Sequence, residues 1–461
     1  MNMNTNRILQ SMAGAAMAVA MMAGAQSPAP PASAPDAAAS AAPAADNSAI
    51  LKDIEDMKAR IAQLEAQLKA QAAAAAAAPA PAVAAAPAAP AAPVWSVGPM
   101  DVSGFIDGYY SYNANRPSAD TYAGQYNQLY NFNDVTDQFA LSAAKLTLNH
   151  DPDPVGAHID FLYGRTDTQI NGSSDSYTNS GAGKYIEQAF LSFKPVKAKG
   201  FEADLGKFVT SAGAEVIESK DNWNYSRSLL FAHAIPYDHI GLRTSYPLTK
   251  TETIGFQVVN GVNGNQKNNG GVTIGVTSAY VKPKYALNVN YYTGPQNYAT
   301  QKGYYNLFDG TLLFTPTAKF NAYLNYDYAQ TRDALYHVGD ENYFDGDKFL
   351  NHWQGAAVAA HEQFAAKDAV AARYEYYFDP QGFTIGNWNA ASCYDSDYCR
   401  TQMQEFTLTY EHKWVEGLLA RVEYRHDWTN ADYFTRGNYD GRVKAQSTLT
   451  AGFVAFFGPK R

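Results

Sequence analysis

Cysteine is nearly absent from this chain, as are long apolar runs and any strong excess of one charge. Cys393 and Cys399 are the two cysteines in 461 residues, too few for a disulfide-built scaffold and, without nearby histidine, too few for a metal centre. They fall in one polar connection, where a local disulfide staple formed in an oxidising compartment is expected. Beyond the first 25 residues no apolar run reaches the length of about 18 that a membrane-spanning helix needs. Net charge is −9, which offers no broad basic surface, so no nucleic-acid partner is expected. There is no G-x-S-x-G elbow, no H-E-x-x-H and no phosphate-binding P-loop, and neither a cofactor nor catalysis is indicated. The nearest approach to a hydrolytic carboxylate pair is Glu215 with Glu218, or Asp395 with Asp397, and such pairs in polar loops are ordinarily solvated.

What the chain does have is aromatic residues and a period of two. It holds 33 Tyr, 23 Phe and 6 Trp although its mean hydropathy is below zero, a combination expected when half of every strand faces water and aromatic belts mark two interfaces. Ile240, Leu242, Thr244 and Tyr246 share one face of an extended segment, and His239, Gly241, Arg243 and Ser245 share the other. Phe320, Ala322, Leu324, Tyr326 and Tyr328 likewise oppose Asn321, Tyr323, Asn325 and Asp327. Val370, Ala372, Tyr374, Tyr376 and Phe378 oppose Arg373 and Glu375, and Val422, Tyr424 and Trp428 oppose Arg421, Glu423, Arg425 and Asp427. A helix would scatter these sets around its circumference, whereas a strand separates them.

Strands are predicted at 101–113, 139–149, 155–165, 184–193, 200–210, 238–247, 252–260, 271–282, 284–293, 304–315, 318–330, 349–360, 367–378, 402–414, 418–428 and 445–457. Connections after even strands are short and carry proline, as at Asp151–Pro154 and Pro283; those after odd strands are long and polar. Short turns on one side, long loops on the other and an even count predict a closed antiparallel transmembrane β-barrel, about 16 strands within a range of 14–18, in the outer-membrane lipid of a Gram-negative cell. A sandwich or propeller does not explain the alternation, and a plug-bearing transporter would need a larger barrel and a plug domain.

The first hundred residues read differently. Residues 1–25 have the form of a secretory signal peptide, with Arg7, an apolar stretch and Ala23-Gly24-Ala25 before Gln26. Residues 26–47 and 72–98 are rich in Ala and Pro, the first read as a disordered segment and the second as a linker. Between them, in 48–71, Ile50, Ile54, Met57, Ile61, Leu64 and Leu68 form a heptad seam. It reads equally as a short trimeric coiled coil or as a solitary amphipathic helix. Pro-rich chain extends by about 3.1 Å per residue, so the arm is long enough to hold the helix in the periplasm, where contact with peptidoglycan is one expectation. The barrel occupies 99–461.

The longest connection, 211–238, mixes apolar residues such as Trp223, Leu229, Leu230 and Phe231 with Glu215, Glu218, Lys220, Asp221 and Arg227. Apolar content of that kind is of no use to a loop in water, so the loop is expected to fold into the barrel. There Glu215, Glu218, Lys220, Asp221, Trp223 and Arg227 would form a constriction. Arg243, Arg373, Glu375, Arg421, Glu423, Arg425 and Asp427 are the expected pore lining, with rows of opposite sign setting up a transverse field.

The run GKFVTSAGAEVIESKDNWNYSRSLLFAHAIPYDHIGLR, Gly206 to Arg243, resembles the signature of the OmpL-like β-barrel porin family. GFIDGYYSYNANRP from Gly104, DPDPVG from Asp151 and NNGG from Asn268 are similar to its other landmarks. The resemblance covers the chain from about residue 101 onward and implies an outer-membrane porin, a water-filled channel for passive diffusion of small hydrophilic solutes and ions. Sixteen-stranded porins commonly trimerise, so a homotrimer is expected. A sugar-facilitating porin in which Trp223, Tyr225 and Tyr237 stack on pyranose faces, and a structural tether to the cell wall, are the alternatives.

Overall fold

Alternating side chains and proline-marked turns give sixteen long strands in the computed structural model: β1 (Met100–Asn113), β2 (Gln138–His150), β3 (Val155–Tyr163), β4 (Ile186–Phe193), β5 (Glu202–Val209), β6 (Asp238–Pro247), β7 (Glu252–Val259) and β8 (Thr273–Lys282). They continue with β9 (Tyr285–Pro295), β10 (Tyr304–Phe314), β11 (Phe320–Arg332), β12 (Leu350–Glu362), β13 (Asp368–Asp379), β14 (Thr401–Val415), β15 (Leu418–Thr429) and β16 (Ala445–Phe457). The described residues are 96–97, 100–118, 125–172, 182–263, 269–296, 301, 303–332, 336–338, 341–343, 350–385, 401–437 and 441–459. The expected signal peptide, Ala/Pro segments and heptad helix, and Cys393 with Cys399, lie outside them. Every strand boundary falls within two residues of its predicted position.

Each strand pairs antiparallel with the next. β1 then pairs with β16, from Gly104 opposite Phe457 to Asn113 opposite Thr448, which closes the barrel and leaves no long edge unpaired. Ser96 and Val97 add a two-residue strand against the start of β1. The outward face is apolar and bare in the isolated chain, as with Ile106, Phe139, Leu191, Leu205 and Phe453, because in the membrane it is covered by lipid. Outward aromatics cluster at both ends of the wall. Tyr280 and Tyr285 lie 6.2 Å apart at the short-turn end, and Tyr110 with Phe139 lie 5.0 Å apart at the long-loop end. These are the two belts that a tall apolar band requires at its borders.

Of three register shifts among the long strands, at Lys413/Val415 and at two places in β1–β4, the latter two are β-bulges that matter for the lumen. One, between Asp107 and Gly108 of β1, leaves Ser142 as an extra residue on β2. The other, between Asp160 and Phe161 of β3, leaves Glu187 as the extra residue on β4. Strict alternation from Gln188 would send Glu187 into lipid. The bulge turns it inward instead, where it is fully buried.

Candidate functional site

The connection between β5 and β6, residues 210–237, leaves and returns at one point on the wall: Val209 pairs with Asp238, and the Thr210 amide donates to the Tyr237 carbonyl at 2.9 Å. Between those points the loop runs through the lumen. Leu229, Leu230, Phe231, Ala234 and Ile235 are buried in one cluster with Leu307, Trp353 and Tyr377 of the wall, so burial of apolar area drives the loop inward. Two glycines of the wall make room for it. A Cβ on Gly452 of β16 would lie 2.4 Å from the Tyr225 ring, and one on Gly355 of β12 would lie 2.7 Å from Leu230 Cδ1. The connection between β1 and β2 closes over the loop from the long-loop end. Asn131 Nδ2 donates to the Ala232 carbonyl at 2.6 Å, and Phe132 meets the Phe231 and Tyr237 rings at 5.7 and 5.3 Å.

A loop without regular structure carries peptide groups that need partners inside the barrel, and wall side chains supply them. Glu423 accepts from the Tyr225 and Ser226 amides at 2.6 and 2.9 Å, and Glu375 from the Leu229 amide at 2.5 Å. Asp309 accepts from the Gly213 amide at 3.0 Å. In the opposite sense, Arg373 donates to the Ser226 carbonyl at 2.8 Å, Arg425 to that of Arg227 at 2.7 Å and Arg421 to that of Asn222 at 2.6 Å. Trp353 Nε1 donates to the Ala234 carbonyl at 3.0 Å. Those made by the carboxylates and guanidinium groups are charge-assisted and about twice as strong as neutral ones. Arg373 also pairs with Glu215 of the loop at 2.6 Å, with Glu405 at 2.8 Å and with Glu375 at 3.0 Å.

The residues expected to line the pore therefore separate into two groups. Arg373, Glu375, Arg421, Glu423, Arg425 and Asp427 face inward but are buried beneath the loop, because parity sets direction and the loop then covers that wall. They pair along one wall, as Arg425 does with Asp427 at 2.8 Å. Arg243 alone of the expected lining stays clear of the loop. It bonds Asp204 at 2.7 Å and covers the Phe190 and Phe208 rings at 4.9 and 4.6 Å.

The loop residues divide in the same way. Glu215 is turned into the wall by Arg373. Arg227 is buried, donates to the Tyr225 and Ile217 carbonyls and lies over Phe132; burial pulls its guanidinium below the ordinary range. Trp223 is half-buried between Tyr323 and His361, at 5.2 and 5.7 Å. Glu218 and Lys220 are partly open and Asp221 and Val216 are exposed. Tyr225 and Tyr237 are both buried, and the Tyr225 hydroxyl is spent on Asp107 at 2.7 Å, so neither offers a face for a sugar to stack on. Glu215 and Glu218 bind different walls and do not form a carboxylate pair.

Sequence reading missed Asp107, Lys145, Asp160, Glu187 and Glu405. Lys145, the one charge between Phe139 and Leu148, was the available signal. Its ammonium lies between Asp160 and Glu187 of the wall and Glu218 of the loop. Beside it, at the short-turn end, a cavity of about 800 Å³ is lined in part by Asp101, Phe105, His158, Lys220 and Glu416.

A closed sixteen-strand barrel, apolar without, polar within and with its longest loop folded inside, defines an outer-membrane porin. The chain belongs to the family described as "Putative beta-barrel porin-2, OmpL-like", whose family model matches residues 99–457. Among solved structures, the anion-selective porin from Comamonas acidovorans is 10% identical with a TM-score of 0.48, covering 78% of this chain and 99% of its own. The outer membrane channel DcaP of Acinetobacter baumannii is 11% identical with a TM-score of 0.47, covering 78% and 97%. OmpT of Vibrio cholerae, folded in vitro, is 11% identical with a TM-score of 0.46, covering 78% and 97%. No curated protein matches the chain. The protein is an outer-membrane channel for passive diffusion.

Proposed function

We propose that small hydrophilic solutes and ions pass between the exposed edge of the 210–237 loop and the β2–β7 side of the wall, and that this gap is the constriction. One observation carries the reading. Most of the loop's bonds run to β1 and to β9–β15; toward the other side Glu218 meets Lys145 of β2 and Ser211 meets Gln257 of β7, while Val216, Lys220 and Asp221 keep exposed or partly exposed faces between those two contacts. Lys220 and Asp221, rather than the buried arginines, then set the sign of the filter. The barrel acts without catalysis, assembles as a homotrimer, and carries the 26–98 arm in the periplasm, within reach of peptidoglycan. Single-channel recording of the refolded protein in a salt gradient tests this. Lys220→Gln is expected to move the reversal potential toward cation preference and Asp221→Asn toward anion preference, with conductance steps grouped in threes. Unchanged potentials in both variants would show that the loop edge does not line the path.

A further inference from the structure

Lys145 Nζ approaches Asp160 Oδ2 at 2.8 Å and Glu187 Oε2 at 2.7 Å, and also contacts Glu218 Oε1. The three carboxylates each offer an oxygen within 4.8 Å of the others. Asp160 and Glu187 are buried, and Glu218 is only slightly exposed. Among the described residues no other lysine or arginine reaches any of the three; His158 approaches Asp160 at 3.0 Å. One ammonium thus faces three carboxylates. Glu187 Oε1 finds no hydrogen-bond partner among the described residues, although its side chain is fully buried. Asp160 is better served, accepting from Thr147 at 2.5 Å and Gln188 at 2.7 Å. The deficit of positive charge is therefore concentrated at Glu187 and Glu218.

We propose that Asp160, Glu187 and Glu218 form a divalent-cation site, calcium by preference, and that Lys145 is its tethered and exchangeable occupant. A divalent ion neutralises two of the three carboxylates where the lysine neutralises one. The donors are all hard oxygens, which favours Ca²⁺ over zinc or copper. Calcium takes oxygen ligands at about 2.3–2.6 Å in adaptable geometry and accepts water in the remaining positions, whereas Mg²⁺ demands a near-ideal octahedron. Lys145 and Glu218 both border the 800 Å³ cavity, so the ammonium has a wet space to withdraw into and the ion has a way in. The bulge in β4 supplies the third ligand, because it turns Glu187 inward. Bound calcium would tie Glu218 of the loop to β3 and β4 and release the lysine charge into the mouth.

Calorimetric titration of Ca²⁺ into the refolded full chain in detergent tests the site without reference to conductance. Lys145→Met is expected to bind one Ca²⁺ per chain about tenfold or more tighter than the wild type, since the competing ammonium is gone, and Lys145→Met with Glu187→Gln is expected to lose that binding. Calcium affinity unchanged by Lys145→Met, or kept when Glu187 is neutralised, would overturn the proposal. Should Lys145→Met fail to refold, the comparison moves to the wild type and Glu187→Gln. Calcium is expected to raise the unfolding midpoint of the wild type alone, and equal shifts in both would overturn the site.

Discussion

Replacing Arg373 by methionine keeps the length of the side chain and removes its charge. The guanidinium is buried and is shared by Glu215, Glu375, Glu405 and the Ser226 carbonyl. Without it, three carboxylates remain in one dry pocket, and Arg425 still reaches one of them, Glu405, at 3.5 Å. Removing one partner of a buried ion pair costs about 3–5 kcal/mol. None of the β13 ladder bonds uses the Arg373 side chain, so the penalty falls on docking of the loop and leaves barrel closure intact. A cost of that size shifts the equilibrium between docked and released loop by about two to four powers of ten. Trypsin gives a direct reading, because Arg227 is buried when the loop is docked. The wild type is expected to resist cleavage after Arg227, and Arg373→Met to be cut there while its barrel band remains heat-modifiable. Single-channel current should become larger and noisier. Adding Glu215→Gln removes one of the stranded charges and should restore part of the protection. If Arg373→Met resists trypsin and conducts like the wild type, the wall charges do not hold the loop.

Gly452→Ala drives a methyl into the Tyr225 ring and is expected to cost about 1–3 kcal/mol of docking by overpacking, seen as cleavage after Arg227 at lower trypsin concentration, while Gly310→Ala, whose nearest neighbours lie at 3.6 Å or more, should not change the digest. Glu423→Gln keeps the shape of the acceptor but loses its charge on the Tyr225 and Ser226 amides; a charged acceptor is worth about 1 kcal/mol more per bond than a neutral one, about 2 kcal/mol for the two, so protection should fall less than with Arg373→Met. His233 is buried in the loop and burial holds it down to about 4. Its released form binds a proton near the ordinary value of 6.5, so docking is fully stable above that pH and weakens as pH falls toward 4. Single-channel current should become larger and noisier over that interval in the wild type and not in His233→Gln.

The barrel was legible because its determinants are local. Period two sets the inward and outward faces, and Asp151–Pro154, Pro283 and similar turns mark the short connections. That Trp223, Leu229, Leu230 and Phe231 would take the longest loop inward was legible too, since such side chains have no use in an exposed loop. Parity, however, says only that Arg373 or Arg425 points into the lumen, not whether water meets it there. That depends on where a loop 150 to 200 positions away in sequence comes to rest, and nothing in the β13–β15 strands encodes it locally. Glu215 and Glu218 differ in fate for the same reason, the first meeting Arg373 and the second Lys145. Glu187 was hidden by a bulge, which reverses the direction that alternation assigns to it.

The wall grips the loop mainly by its backbone. Glu423, Glu375, Asp309, Arg373, Arg421 and Arg425 bond peptide amides and carbonyls that any residue at those positions would present. Apolar anchors are confined largely to the second half of the loop, around Leu229–Ile235. The first half, from Ser211 to Asp221, is held through Ser211, Glu215, Glu218 and Ser219 and leaves the edge of Val216, Lys220 and Asp221 open. Charge on that edge can therefore change without disturbing what fixes the loop, and a substitution such as Lys220→Glu should alter ion preference while leaving trypsin resistance at Arg227 intact. The same charge reversal at Glu215 should abolish both, because that side chain is part of the anchorage. Separation of the two effects along one loop is the property that distinguishes a fixed constriction with a tunable edge from a lid that moves as a whole.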